Sequence, residues 1–363
     1  MKRIVLIGQI AMIFIGSIVG AGVCSGRELN QFFSTYGIAG FGGIVLCGLL
    51  YIVFSKIIVE ISMKKNVSSY NEFVDLVCPK YVAKFINIVL TLFLLSSTSI
   101  ILAGSGALIE QYFNVPKWVG IVIMIGCSSI FLMRNTEGLF EVNTIVVPTL
   151  ITIMTAIFIS YVHQNPFSLQ YDYMRFIPAQ KEHLVVSTLI YVSFNILTII
   201  GVIVPLTNEI RRPKEIQIGI IVGSGVLTVI SMYIIFLMLV NPFYPKLYEM
   251  PLLAIAMQMS RILKVAMLGV MWLEMFSSQV SNVYSLSYFL RNKFNIAYKK
   301  GIFLVVAIAI PFSGIGFAKL VEILYPMYGI LSLTFLMYCL IYYYKLRKEE
   351  KDMCQLENRR AQT

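Results

Sequence analysis

The densest set of chemically useful residues is one short run, Ile18-Val19-Gly20-Ala21-Gly22-Val23-Cys24-Ser25-Gly26-Arg27-Glu28. Glycines at 20, 22 and 26 let a backbone leave the helix and approach a ligand closely. The half-helix that restarts after such a break aims unsatisfied N–H groups and a positive dipole end at the gap, which suits a carboxylate, and the freed carbonyls suit a cation. Arg27 and Glu28 would be expensive ornaments inside lipid, so they favour function, although small residues also serve close helix packing and the pair could fix the restarted helix as a salt bridge. Gly20, Ala21, Gly22, Ser25, Gly26, Arg27 and Glu28 are therefore the expected substrate-binding residues of this segment.

A second constellation is Glu274, Ser278, Ser281 and Ser285, spaced to share one helical face, with Ser277 beside it. A polar face in an apolar span is expected to turn toward protein or water. Glu274 is also a candidate proton carrier, its plainer reading being an acid bonded to a neighbouring helix. A third set is Tyr191, Ser193, Asn195 and Thr198. An asparagine both donates and accepts, which fits an amino or carboxylate group as well as it fits an interhelical bond. Ser96-Ser97-Thr98-Ser99 and Gly104-Ser105-Gly106 read first as tight packing.

The elements that must position these residues are membrane helices. Of 363 residues, 58% are hydrophobic and 13% charged, against about a quarter charged in soluble domains. Apolar blocks of about 20 residues match the ~30 Å hydrocarbon layer crossed as a helix. Spans are expected at 4–35, 38–62, 82–104, 117–133, 138–162, 184–206, 217–240, 264–290, 300–314 and 318–344. Met1-Lys2-Arg3 ahead of an apolar run has a leader-like look, but the next segment is another span and not a soluble domain. With the N-terminus inside, the inner segments hold 21 Lys and Arg and the outer ones 7, the expected sense of bias. That bias, not nucleic acid, accounts for the net charge of +11. The expected location is a bacterial inner membrane, with both termini cytoplasmic and the lipid bilayer as a partner; the oligomeric state is left open.

The chain divides into residues 1–162, an extracellular loop 163–183, a second half 184–344 and a cytoplasmic tail 345–363, expected to be loosely ordered. Five spans per half is odd, so the halves enter from opposite faces, as in an inverted repeat. Spans one and six are both expected to be interrupted, which points to a site between them. Short interfacial helices are expected within 66–79, which includes Ser68 and Ser69, and within 251–263, which opens on a proline. Glu60, Glu141 and Glu322 fall near span ends. Cys24, Cys47, Cys78, Cys127, Cys339 and Cys354 form no C-x-x-C pair and read as core residues. No cofactor is implied. H-E-x-x-H, G-x-x-x-x-G-K-[ST] and G-x-S-x-G are all missing, so neither an enzyme nor an ATP-driven pump is expected.

Val19-Gly20-Ala21-Gly22, Ser25-Gly26-Arg27-Glu28 and Gln31-Phe32-Phe33 resemble the first span of the YkvI-like bacterial membrane proteins. Tyr191-Val192-Ser193-Phe194-Asn195, and Glu274 with Ser281-Asn282-Val283-Tyr284, resemble that family's sixth and eighth spans. The family is similar to the amino acid–polyamine–organocation superfamily, which implies an all-α membrane protein of about ten helices in a five-plus-five, leucine-transporter-like arrangement. Cys24 departs from the aromatic or bulky apolar residue expected at its position. In the superfamily, hydroxyls of span eight and carbonyls of the broken first span can form a sodium site; by analogy Ser277, Ser278 and Ser281 would face the carbonyls of Gly20 and Val23. The expected function is an ion-coupled secondary transporter of a small polar solute, with Na⁺ or H⁺ as coupling ion. The alternative is a membrane-embedded receptor that binds a solute without moving it.

Overall fold

The computed structural model describes residues 3–67, 69–134, 139–169, 174 and 177–360, except the side chains of 134, 139–145, 292 and 353–360. Ser68, Arg175 and the side chain of Glu141 therefore lie outside what is described. Every regular element among the described residues is helical.

The first apolar stretch is three helices, α1 (Arg3–Ile18), α2 (Ala21–Ser25) and α3 (Arg27–Phe32). It continues into α4 (Ala39–Lys65), the short α5 (Tyr70–Val77), α6 (Lys80–Phe113), α7 (Lys117–Arg134) and α8 (Leu139–Gln164). Beyond the outer connection lie α9 (Leu184–Ile210), α10 (Pro213–Val240), two short helices α11 (Tyr244–Leu247) and α12 (Pro251–Ala256), then α13 (Arg261–Phe294), α14 (Tyr298–Ser313) and α15 (Phe317–Arg360). Six of these are long and apolar enough to cross a membrane: α4, α6, α8, α9, α10 and α15. The α1 and α7 helices are shorter apolar ones.

Long helices stop where asparagine can take the left-handed conformation, at Asn66 after α4, Asn114 after α6 and Asn295 after α13. Ser69 caps α5 by accepting from the Glu72 N–H at 3.3 Å, and Pro251 opens α12, so a short helix forms in each of the two stretches where one was expected. Large apolar side chains such as Leu49, Leu92, Ile159 and Ile323 stand on the outside, a surface only lipid would cover cheaply.

The broken stretch is threaded through the centre. The α1 helix packs on α8, α9 and α10; α2 on α6, α12 and α13; α3 on α9, α10 and α15. Interhelical approach is close where glycines allow it: a side chain at Gly106 would strike the Lys117 carbonyl at 2.9 Å, and one at Gly104 would press on Phe317 at 3.1 Å.

The chain's end departs from expectation. The α15 helix runs on to Arg360 where a loose tail was expected. Ion pairs hold its extension against α4: Arg347 meets Glu60 at 2.7 Å and Lys64 meets Glu350 at 2.5 Å. Pairing across two helices gives the charged residues a reason to stay in register.

Candidate functional site

The first span breaks where its glycines predicted. Gly20 is extended, with φ −141° and ψ −168°, so α1 ends at Ile18 and α2 restarts at Ala21. Among the described residues, no hydrogen bond takes up the Gly20 N–H or the Val19 carbonyl. A second break comes at Gly26, whose φ of +81° favours glycine, and a Cβ there would meet the Leu252 side chain at 3.0 Å. The Ser25 hydroxyl stitches the turn by donating to the Gly22 carbonyl at 2.9 Å and accepting the Arg27 N–H at 3.3 Å. Two interruptions in seven residues let consecutive charges diverge.

Arg27 faces outward. Its guanidinium donates to the Tyr248 carbonyl at 2.6 Å and the Glu249 carbonyl at 3.3 Å, and it lines a polar cleft of about 530 Å³ with Gln31, Thr35, Lys181, Lys246 and Glu322. Glu28 faces inward and is only 2% exposed. Its carboxylate lies against the Gly22 backbone so closely that a Cβ at 22 would collide with Oε2 and with the Tyr325 ring. The Tyr191 hydroxyl neighbours this carboxylate, whose Oε1 has no hydrogen-bond partner among the described residues. Around it, the Tyr191 ring meets Phe32 and Phe33 at 5.1 Å, and Phe194 stacks on Tyr325 at 4.9 Å.

Glu274, on α13, is 1% exposed, and its Oε2 also lacks a partner among the described residues. Cys24, wholly buried, is close enough to feel the charge of both Glu28 and Glu274. The serines of α13 divide. Ser277 is buried, Ser278 half-buried, and Ser281 and Ser285 are exposed, so the four-residue stripe from Glu274 to Ser285 does not form a single buried face. The carbonyls proposed for sodium already serve the chain: Gly20 accepts the Cys24 N–H and Val23 accepts the Gly26 N–H, both at 3.0 Å. The expected oxygen shell of Gly20, Val23, Ser277, Ser278 and Ser281 is therefore not assembled here as one buried cluster.

The helix expected as the sixth span corrects a second expectation. The α9 helix is continuous from Leu184 to Ile210. Its first glycine is Gly201, so residues 191–198 have nothing to release the backbone. Their side chains instead reinforce the ladder: Asn195 donates to the Tyr191 carbonyl at 3.0 Å and Thr198 to the Asn195 carbonyl at 2.7 Å. Ser193 donates to the Gly329 carbonyl at 2.6 Å, packing α9 on α15. Tyr191 and Asn195 do reach the Glu28 neighbourhood, whereas Ser193 and Thr198 are engaged in helix and interhelical bonds.

Several neighbours carry little sequence signal. Tyr325 comes from the last span, and Tyr51 and Cys47 of α4 lie near Glu28. Gln279 of α13 is fully buried, with both amide atoms unpartnered among the described residues; a polar residue in the middle of an expected span was the signal that could have found it. Glu249, between α11 and α12, joins three elements by accepting from Lys117 Nζ at 2.6 Å and from the Phe317 N–H at 3.0 Å.

No family model matches the chain. It is 30% identical over 331 residues to the uncharacterised membrane protein YkvI of Bacillus subtilis (strain 168), covering 90% of this chain and 93% of that one. The chain belongs to the YkvI-like membrane proteins. Among solved structures, the YkvI-like chain superposes on MhsT in complex with L-phenylalanine with a TM-score of 0.64 at 14% identity, covering 89% of this chain and 87% of that one. A Na⁺-coupled sialic acid symporter in a substrate-bound, outward-open state gives 0.63 at 15% identity, covering 85% and 72%. At such identities the likeness concerns the fold, which is that of the leucine-transporter-like secondary transporters.

Proposed function

We propose that this YkvI-like protein is an ion-coupled secondary transporter of a small polar solute, an amino acid or an amine, working by alternating access around the interrupted first span. The observation that carries the reading is the backbone break at Val19–Gly20, with the buried Glu28 carboxyl against Gly22 just beyond it and a second buried carboxyl, Glu274, on the helix that packs on α2, each with an oxygen that has no partner among the described residues. Irregular backbone at membrane depth is tolerated where it is enclosed by protein or lines a cavity, and unpaired polar atoms there cost free energy unless something binds them.

The reading takes the helices as ten spans, with α1–α3 as the first and α15 as the last, in two inverted halves, 1–162 and 184–344, separated by an outer loop at 163–183. The charge bias supports both ends inside an inner membrane. Solute contact is assigned to Gly20, Ala21, Gly22, Ser25, Gly26 and Glu28 with Tyr191 and Asn195, whereas Arg27 lines the outer cleft and Ser193 and Thr198 hold the helices in place. Ion coupling is assigned to Glu274, Ser277, Ser278 and Ser281, with sodium or a proton as the ion. That MhsT holds L-phenylalanine and that the sialic acid symporter is Na⁺-coupled support this choice.

The test is reconstitution in liposomes with an imposed Na⁺ or H⁺ gradient and a screen of amino acids and amines. Saturable, gradient-driven uptake is expected. Binding without any flux would replace the transporter by a solute-sensing receptor, and single-channel currents would replace it by a channel.

A further inference from the structure

The charge balance around the break narrows the solute. Glu28 and Glu274 are both buried, each with one oxygen unpartnered, and no ion pair among the described residues involves either. The nearest basic side chain in sequence, Arg27, is committed to the Tyr248 and Glu249 carbonyls on the other side of Gly26. A buried carboxylate without a counter-charge is costly, and a cation relieves that cost most directly. A zwitterion adds a carboxylate to a place that already has two and leaves the balance where it was. An anion worsens it.

The walls agree with the charge. Tyr191 and Tyr325 border the Glu28 carboxylate, with Phe194 between them in a chain of ring contacts. Aromatic faces attract ammonium groups, and beside a carboxylate they make a recognition set for an organic cation. The outer cleft itself is net basic, with Arg27, Lys181 and Lys246 against Glu322; Arg27 donates to the Tyr248 and Glu249 carbonyls and Lys181 to the Gln31 carbonyl at 3.0 Å.

Resting on the transporter reading above, we infer that the solute is an organic cation with a protonated amino group, for which Glu28 is the counter-ion and the Tyr191, Phe194 and Tyr325 rings are the walls. The site selects amines over zwitterionic amino acids of the same skeleton.

The experiment uses the purified full chain and two matched probe series: phenethylamine, L-phenylalanine and 3-phenylpropionate; and butylamine, L-2-aminobutyrate and butyrate. Thermal stabilisation and proteoliposome uptake are measured for each. The amines are expected to stabilise the wild-type protein and the zwitterions and anions to do so weakly or not at all. E28Q is expected to weaken amine binding about tenfold or more, as the loss of a charge-assisted contact implies, while E60Q binds as the wild type does. Ranking the probes on the wild-type protein keeps the inference testable if E28Q fails to fold. Tighter binding of a zwitterion or anion, equal amine binding in a folded E28Q, or no stabilisation by either amine overturns it. Saturable uptake of a zwitterion without uptake of its amine overturns the inference and leaves the transporter standing. Amine binding that E28Q abolishes, without any flux, keeps the amine site and ends the transport reading.

Discussion

Gly22 and Glu28 form one steric unit. The carboxylate fills the space a Cβ would need, and the Tyr325 ring closes the other side at 2.8 Å. Gly22→Ala therefore has to displace Glu28 or Tyr325, and overpacking of this kind costs about 1–3 kcal/mol. It is expected to lower solute uptake at least as much as Glu28→Gln does. Gly126→Ala is the control: a Cβ there meets nothing within 4 Å, and alanine in a helix is worth up to about 1 kcal/mol over glycine, so stability should hold or rise and uptake stay unchanged. Equal behaviour of the two variants would separate Gly22 from the site. The acids give a parallel comparison. Glu60 is bonded to Arg347 and Tyr343 near a span end, whereas Glu28 and Glu274 each keep a buried, unpartnered oxygen. Uptake should fall about tenfold or more in Glu28→Gln and Glu274→Gln, on the scale of a lost hydrogen bond to a charged group, and much less in Glu60→Gln. Mild, equal losses in all three would reject this site while leaving the fold untouched.

The first span was legible because its glycines fall within eleven residues of two charges, and both signals have one cheap solution, a break enclosed by protein. The sixth was misread from the same kind of signal. Ser193, Asn195 and Thr198 are polar enough to suggest a gap, but such side chains can equally return their hydrogen bonds to their own turn or to a neighbouring helix, and here they do. Polarity alone does not free a backbone; glycine or proline must be at the spot. In α9 those residues come later, as Gly201 and Pro205. Proline at 205 has no N–H for the carbonyl four residues back, which is that of Gly201, so one rung of the α9 ladder is missing there. Pro205→Ala restores the missing donor and should stabilise the protein by about 1–3 kcal/mol, read as a raised unfolding midpoint. If α9 bends there as the site opens, uptake should slow in the same variant while the apparent affinity stays within a few-fold. A rise in stability with no change in rate would make Pro205 a passive kink.

At the scale of the whole molecule, parity is the strongest constraint. In the proposed arrangement, five crossings per half would place the start of α1 and the start of α9 on opposite faces, and every basic cluster would then fall on a definite side. The weakest link is α14. Its 16 residues rise only ~24 Å, short of a ~30 Å hydrocarbon layer, and Pro311 sits inside it. Lys246, Lys299 and Lys319 bracket both α13 and α14, so single cysteines at these three positions read the two crossings directly. In a background where Cys127, the exposed one among the described cysteines, and Cys354 of the tail are replaced by serine, an impermeant maleimide applied to intact cells should label Lys246→Cys and Lys319→Cys, and reach Lys299→Cys only after permeabilisation. The opposite pattern would invert the orientation and the charge argument with it. Labelling of both Lys299→Cys and Lys246→Cys from outside would mean that α13 does not cross. Labelling of Lys246→Cys alone would mean that α14 folds back on the inner side; the second half would then hold an even number of crossings, and the inverted pairing of the halves would fail although the broken first span and its buried acids remained.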